Sequence, residues 1–139
     1  MEDRYLFKAK RADNGEWVIG FHAYIHKKHY IYTGQLIHGG LYDVAERFEV
    51  DPSTICQCTG LRDEHGKLIW ENDIVSCPAE ECCGYIGWNE SEAGFYFNVL
   101  LENGRFEEEH IYDYQDGIEI ISNKFDNPEL LEMEVNYHG

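Results

Sequence analysis

The chain has 139 residues, of which 43% are hydrophobic and 14% aromatic, and its formal net charge is −16. This length and composition predict one folded domain, or one domain with a small appended lobe. No run of 18 apolar residues is present, which argues against a membrane-spanning helix, and the N-terminal residues do not resemble a signal peptide. Five cysteines without regular spacing favour a reducing cytosol over a disulfide framework.

The charge is distributed unevenly along the chain. Residues 1–67 contain nine Lys and Arg against ten Asp and Glu, whereas residues 68–139 contain two against seventeen. A nucleic-acid-binding protein needs basic residues to displace counterions, and the second half would repel phosphate, so we expect no direct binding of nucleic acid. The acidic half is typical of a solvated surface, and the alternative is a face that imitates DNA for a basic partner.

The first 53 residues predict a β-meander. Asn14-Gly15 is a strong turn signal between two β-rich runs, and a short polar segment separates the second run from a third. The apolar residues of 41–50 follow a period of two better than a helical period, which favours a fourth strand over a helical turn. The three β-rich runs are 5–10, 16–25 and 29–37.

Residues 54–75, which read TICQCTGLRDEHGKLIWENDIV, alternate short β-like runs with two turns. The first turn ends at Gly66, which supplies a backbone conformation with positive φ. The second turn contains Asn72, a residue that tolerates the left-handed region. Its Asp73 is well placed to accept backbone N–H bonds, and acid–base catalysis by Glu71 and Asp73 is the alternative.

The second half predicts short strands separated by tight turns, after a loop over residues 76–84. This spacing favours a small SH3-like barrel formed largely by residues 70–122, because closure removes exposed sheet edges. Near the C-terminus, Asn127-Pro128 predicts the start of a short helix that continues to Met133. The predicted strands are 85–88, 95–101, 105–106, 111–114 and 118–122.

Cysteine and histidine are the residues that raise the question of a metal centre. The spacing of Cys77, Cys82 and Cys83 fits a zinc site marginally, and whether these thiols bind metal stays open. Cys56 and Cys58 fit small hydrophobic positions on one face of a strand better than ligand positions. His22 and His26 are an even number of residues apart, so one strand face could carry both, with His29 beyond the turn. Polar residues of a hairpin explain these histidines better than a metal site. The sequence predicts no cofactor and no catalytic group.

Three blocks of sequence, Phe7–Gly20, Thr54–Val75 and Ile118–Leu131, resemble the YopX family of bacteriophage and prophage proteins. The central block carries most of the resemblance, through the pattern Q-x-T-G-L-x-D-x-x-G-K-x-I-(aromatic)-E-x-D-I-V. The resemblance implies a β-rich fold that contains a small barrel, a phage or prophage origin, and self-association. We therefore expect one mainly β domain over residues 1–139, with the N-terminal meander over 1–53 and the motif hairpin, small barrel and C-terminal helix over 54–139. We assign a structural role to the motif residues Thr59, Gly60, Leu61, Asp63, Gly66, Glu71 and Asp73.

The sequence therefore predicts a non-enzymatic accessory protein of the bacterial cytosol that acts by self-assembly or protein binding, without contact to a membrane. One alternative is an acidic, DNA-like inhibitor of a basic host protein. Another is a metal-dependent enzyme that uses the cysteines or the Glu71 and Asp73 pair. The residues of the predicted partner-binding acidic face are Glu107, Glu108, Glu109, Asp113, Asp116 and Glu119.

Overall fold

The computed structural model describes residues 3–114 and 117–132. In these ranges the chain forms eleven β-strands joined by turns and short 3-10 helices, arranged as two antiparallel sheets. The β-rich fold predicted from the sequence is confirmed. The strands are β1 (Phe7–Lys10), β2 (Trp17–Ile25), β3 (Lys28–His38), β4 (Asp43–Glu49), β5 (Cys56–Arg62), β6 (Leu68–Trp70), β7 (Asp73–Cys77), β8 (Cys82–Asn89), β9 (Gly94–Leu100), β10 (Phe106–His110) and β11 (Glu119–Asn123).

The chain divides into two compact units, with the boundary between Gly60 and Leu61. The boundary falls inside β5, whereas the sequence predicts the division between residues 53 and 54. The first sheet has the order β4-β3-β2-β1-β5-β6, and the second has the order β10-β9-β8-β7-β11.

The first unit is built from the predicted meander. Gly15, with φ of +75°, lies in the turn between β1 and β2. His26 and Lys27 both have positive φ and connect β2 to β3 as a two-residue hairpin turn, the geometry that matches the twist of the flanking strands. The strand predicted over 41–50 is confirmed as β4, which pairs antiparallel with β3.

One face of this meander forms the core of the first unit. Ala9, Ile31 and Val50 are fully or almost fully buried there, and Phe7, Val18 and Ile55 pack against them. Because side chains alternate across a strand, the residues between these positions lie on the opposite face of the sheet.

The second unit folds β7, β8, β9 and β10 as consecutive hairpins, and β11 then pairs with β7. Its core is a cluster of buried apolar side chains from β6, β7, β8 and β9, from the 3-10 turn after β10 and from the residue before β11. Asn72 has φ of +72°, which confirms the left-handed position predicted for the second motif turn. The buried residues of the cluster are Ile69, Val75, Ile86, Phe97, Ile111 and Ile118.

The described residues do not form the closed barrel that the turn spacing predicts. β10 and β11 are the two outer strands of the second sheet, and the order of the described strands places three strands between them. Turn spacing indicates hairpins between neighbouring strands, but closure depends on pairing between strands that are distant in sheet order. The sequence pattern therefore predicted the hairpins correctly and overestimated their closure.

Two local predictions in this unit are wrong. The loop expected over residues 76–84 is largely strand, because Cys77 pairs directly with Cys82 across a tight connection that begins at Pro78. Glu81, in the left-handed region, completes this connection. The strand expected over 111–114 is a 3-10 turn over Ile111–Asp113, which ends with a hydrogen bond from Tyr114 N–H to the Ile111 carbonyl.

The predicted C-terminal helix is not confirmed, because Pro128–Leu131 forms a single 3-10 turn and Glu132 after it is extended. Met133 lies outside the described residues. Asn127 precedes this turn, but its side chain contacts Ser122 and Glu129 instead of capping the backbone. Among the described residues, no helix has the length and apolar character needed to span a membrane.

Candidate binding surfaces

The first motif turn is organised by the Asp63 carboxylate. Its Oδ1 accepts hydrogen bonds from the backbone N–H groups of His65 and Lys67, each at 2.9 Å, and its Oδ2 accepts one from Ile120 at 3.2 Å. Burial by itself raises the pKa of Asp63, but the three backbone hydrogen bonds outweigh burial, so the pKa lies below its ordinary value. Gly66 closes the turn with φ of +82°, as the sequence predicts.

The second motif turn uses Asp73 in the same way. Its Oδ2 accepts a hydrogen bond of 2.8 Å from Trp70 N–H, and the residue is only 2% exposed. The predicted backbone-binding role of Asp73 is therefore confirmed. Glu71 lies half-buried in the turn itself, between β6 and β7. The Asp73 carboxylate therefore supports the turn through a backbone hydrogen bond.

The remaining motif residues surround these turns. Thr59, Gly60 and Leu61 lie on β5, and Leu61 packs against the core cluster of the second unit. Gly60 has φ of +83°, and a Cβ at this position would lie 3.2 Å from the Arg4 Cβ, so glycine suits both the backbone and the contact.

The five cysteines are free thiols. Cys56 and Cys58 are buried on β5, which is consistent with small hydrophobic positions. Burial, together with the neighbouring Cys77 and Cys83, raises the pKa of Cys82 to about 11, and burial also raises the pKa of Cys83.

The predicted acidic residues occupy separate strands. Glu107, Glu108 and Glu109 lie on β10, where Glu108 accepts hydrogen bonds from Asn89 and Glu109 accepts one from the Tyr114 hydroxyl. Asp113 lies in the 3-10 turn that follows β10, and Asp116 lies outside the described residues. Glu119 lies on β11, at the other end of the sheet order. The described members of the set therefore lie on both outer strands of the sheet and in the 3-10 turn after β10.

Histidines on β2 and β3 form a pair that sequence spacing missed. His22 Nε2 lies 2.8 Å from His29 Nδ1, and the two rings stack with an interplanar angle of 5°. The expectation that His22 and His26 share a strand face is wrong, because β2 ends at Ile25 and His26 belongs to the turn. The two-residue turn sets a register in which His29 lies diagonally opposite His22.

The outward face of the first sheet is aromatic and basic. Paired residues of neighbouring strands place these side chains on one face, opposite the core. The Arg47 guanidinium lies 4.0 Å from the Tyr30 ring centroid, and the Lys8 and Lys10 ammonium groups lie 4.8 and 5.4 Å from that of Trp17. We call this set the open face: Lys8, Lys10, Trp17, Ile19, Phe21, Tyr30, Tyr32 and Arg47.

The far end of the β3–β4 hairpin is apolar and exposed. Leu41 is 97% exposed, Tyr42 74% and Leu36 63%. Leu36 and Ile37 are neighbours on β3 and point to opposite sides, so both sides of the hairpin end are apolar. We call these residues the hairpin tip: Leu36, Ile37, Leu41, Tyr42 and Val44.

Fold and surfaces define a two-unit antiparallel β protein with an exposed apolar hairpin end and an aromatic, basic sheet face. A family model described as YopX protein matches residues 6–132, and the chain belongs to the YopX family. No curated protein matches the chain.

Proposed function

We propose that this protein acts by binding proteins, and that its first partner is a second copy of itself, bound through the hairpin tip. The single observation that carries this proposal is the exposure of five large apolar residues on both sides of one projecting hairpin. Soluble monomers rarely expose a contiguous apolar patch of this kind without a binding role. Association would remove these side chains from water.

The charge distribution supports the same location for the contact. Residues 1–60 contain seven Lys and Arg against eight Asp and Glu, so the unit that carries the hairpin tip is nearly neutral. Residues 61–139 carry the remaining excess, four basic against nineteen acidic residues. A contact made by the first unit therefore joins surfaces with little mutual repulsion, even though each copy carries −16.

The position of β4 supports a symmetric contact. β4 is the outer strand of the first sheet, beyond which no described strand lies. An outer strand presents unpaired backbone groups, and two copies can pair such strands about a two-fold axis. The apolar side chains of the hairpin tip would then be buried together with the backbone pairing.

Sedimentation equilibrium at micromolar concentrations tests this proposal. We expect the wild-type chain to form a dimer or larger assembly, and Ile37→Ser with Leu41→Ser to weaken association at least about tenfold, because both lost side chains are interface anchors. The matched control is Ile121→Ser, which removes an exposed apolar side chain from β11. A monomeric wild type, or equal weakening by the control, would contradict the proposal.

A second candidate function rests on β10. This outer strand carries three consecutive glutamates, two of them exposed, in a unit with no Lys or Arg between Leu68 and Gly104. We propose that it engages a basic, DNA-binding host protein. Capture of such a partner from bacterial lysate should be weakened by salt and by Glu107→Gln with Glu108→Gln, and not by Glu90→Gln with Glu92→Gln. Loss of capture with both pairs of substitutions would count against β10.

The proposal extends to the origin and the cellular role of the protein. We propose a phage or prophage origin and a cytosolic, non-enzymatic role, supported by the family to which the chain belongs.

We also propose that the second sheet curls as a partly open SH3-like barrel. The pairing of β11 with β7 supports this proposal, because the last described strand returns to the first strand of the β7–β10 meander, a strand order that suits a small barrel.

A further inference from the structure

Three side chains with metal-binding chemistry meet where the first motif turn approaches β11. His65 Nε2 lies 3.4 Å from Glu64 Oε1 and 3.7 Å from Glu119 Oε1, and all three ligand atoms lie within 4.8 Å of one another. Among the described residues these are the one such group of three. We propose that Glu64, His65 and Glu119 bind a divalent transition-metal ion.

The backbone around these residues is already in place. Glu64 N–H donates a hydrogen bond of 3.0 Å to the Ile118 carbonyl, and the Asp63 carboxylate accepts one from Ile120 N–H. The turn is thus tied to β11 on both sides of Glu119. An ion would need only side-chain rotations to gather its ligands, which lowers the entropic cost of binding.

The three ligand atoms of the proposed site favour one class of metal ion. One imidazole nitrogen with two carboxylate oxygens suits manganese, zinc and similar divalent ions better than the all-oxygen sites of calcium. Two carboxylates and a neutral imidazole supply a formal charge of −2, which offsets the charge of the ion. Three protein ligands leave coordination positions for water or for a ligand atom of another molecule.

The imidazole distinguishes this group from the other acidic residues of the chain. Glu107, Glu108 and Glu109 are consecutive on one strand, so their side chains alternate between its two sides. His38 and Asp43 form a close pair at 2.7 Å, but no third ligand joins them among residues 3–114 and 117–132. The competing explanation is a set of surface ion pairs between His65 and its two glutamates, which binds no metal.

Titration of the chelator-treated full chain with Mn²⁺ tests the proposal, with free Mn²⁺ measured by electron paramagnetic resonance. Manganese is chosen because it prefers carboxylate and imidazole to thiols, so the five cysteines contribute little. We expect one saturable site, with line broadening in nuclear magnetic resonance spectra centred on the amides of His65 and Ile120. The result is independent of self-association through the hairpin tip.

Substitutions localise the site. We expect His65→Gln and Glu119→Gln each to weaken Mn²⁺ binding at least about tenfold, in line with the loss of a ligand. His38→Gln, which removes a histidine from the other close carboxylate pair, should leave binding unchanged. Thermal unfolding without metal checks that each variant folds. Absence of saturable binding, or binding that His65→Gln and Glu119→Gln leave unchanged, would overturn the proposal.

Discussion

Asp63 Oδ2 accepts a hydrogen bond from the backbone N–H of Ile120, a residue 57 positions further along the chain. The other oxygen of the same carboxylate holds two N–H groups of the motif turn. One buried side chain thus fixes the turn internally and joins it to the last strand of the second sheet. This dual contact explains why an aspartate, and not merely a turn-forming residue, occupies the position.

Replacing Asp63 with alanine should destabilise the second unit by about 2–4 kcal/mol, because three backbone donors lose their acceptor. Urea unfolding in metal-free buffer measures the change. Glu64→Ala, which removes the adjacent exposed carboxylate, is the matched control and should shift the free energy of unfolding by less than about 0.5 kcal/mol. Equal effects of the two substitutions would show that Asp63 contributes only as a surface charge.

The lowered pKa of Asp63 predicts a pH dependence. Since its folded pKa lies below the unfolded value of about 3.9, its stabilisation is complete above pH 3.9 and is lost as the pH falls through the folded pKa. Asp63→Asn should therefore unfold with a shallower dependence on pH than the wild type in this acidic range. Identical pH profiles for the two proteins would indicate that the carboxylate has the same pKa folded and unfolded.

Alanine substitution at two glycines of the second unit should lower the free energy of unfolding by different amounts. A Cβ on Gly84 would lie 1.9 Å from the Asn98 carbonyl oxygen, whereas a Cβ on Gly66 would meet no atom within 4 Å. Gly84→Ala should destabilise the unit by more than about 3 kcal/mol, since strands β8 and β9 must separate. Gly66→Ala should cost about 1–2 kcal/mol for the left-handed backbone alone. Thermal unfolding ranks the two variants, and the reverse order would be inconsistent with this packing.

The raised pKa of Cys82 predicts slow thiol chemistry in the folded protein. A value of about 11, against 9.0 for an ordinary thiol on the same scale, lowers the thiolate fraction at pH 8 by about 100-fold. Iodoacetamide labelling followed by peptide mass spectrometry should leave Cys82 largely unmodified in buffer and fully modified in urea. Rapid labelling of Cys82 under native conditions would contradict its burial beside Cys77.

Local chemistry allowed much of the fold to be predicted. Asn14-Gly15 and Gly66 mark turns because their backbone requirements are intrinsic to the residues, and Asp73 could be assigned from its place in the turn. The meeting of Glu119 with His65 could not, because strand pairing joins residues 54 positions apart in sequence. The predicted closure of the second sheet is wrong for the same reason, because closure also depends on contacts between residues that are distant in the sequence. The His22 and His29 pair needed the register that only the two-residue turn at His26 sets.

Hydrogen exchange measured at low and high protein concentration tests self-association through the hairpin tip most directly. Pairing of β4 between copies would protect backbone amides of residues 43–49, and mass action would make that protection rise with concentration. The β10 peptide, residues 106–110, serves as the internal reference and should not change. We predict concentration-dependent protection confined to the β3–β4 hairpin. Protection that is independent of concentration, or that appears in β10 and not in the hairpin, would contradict the account.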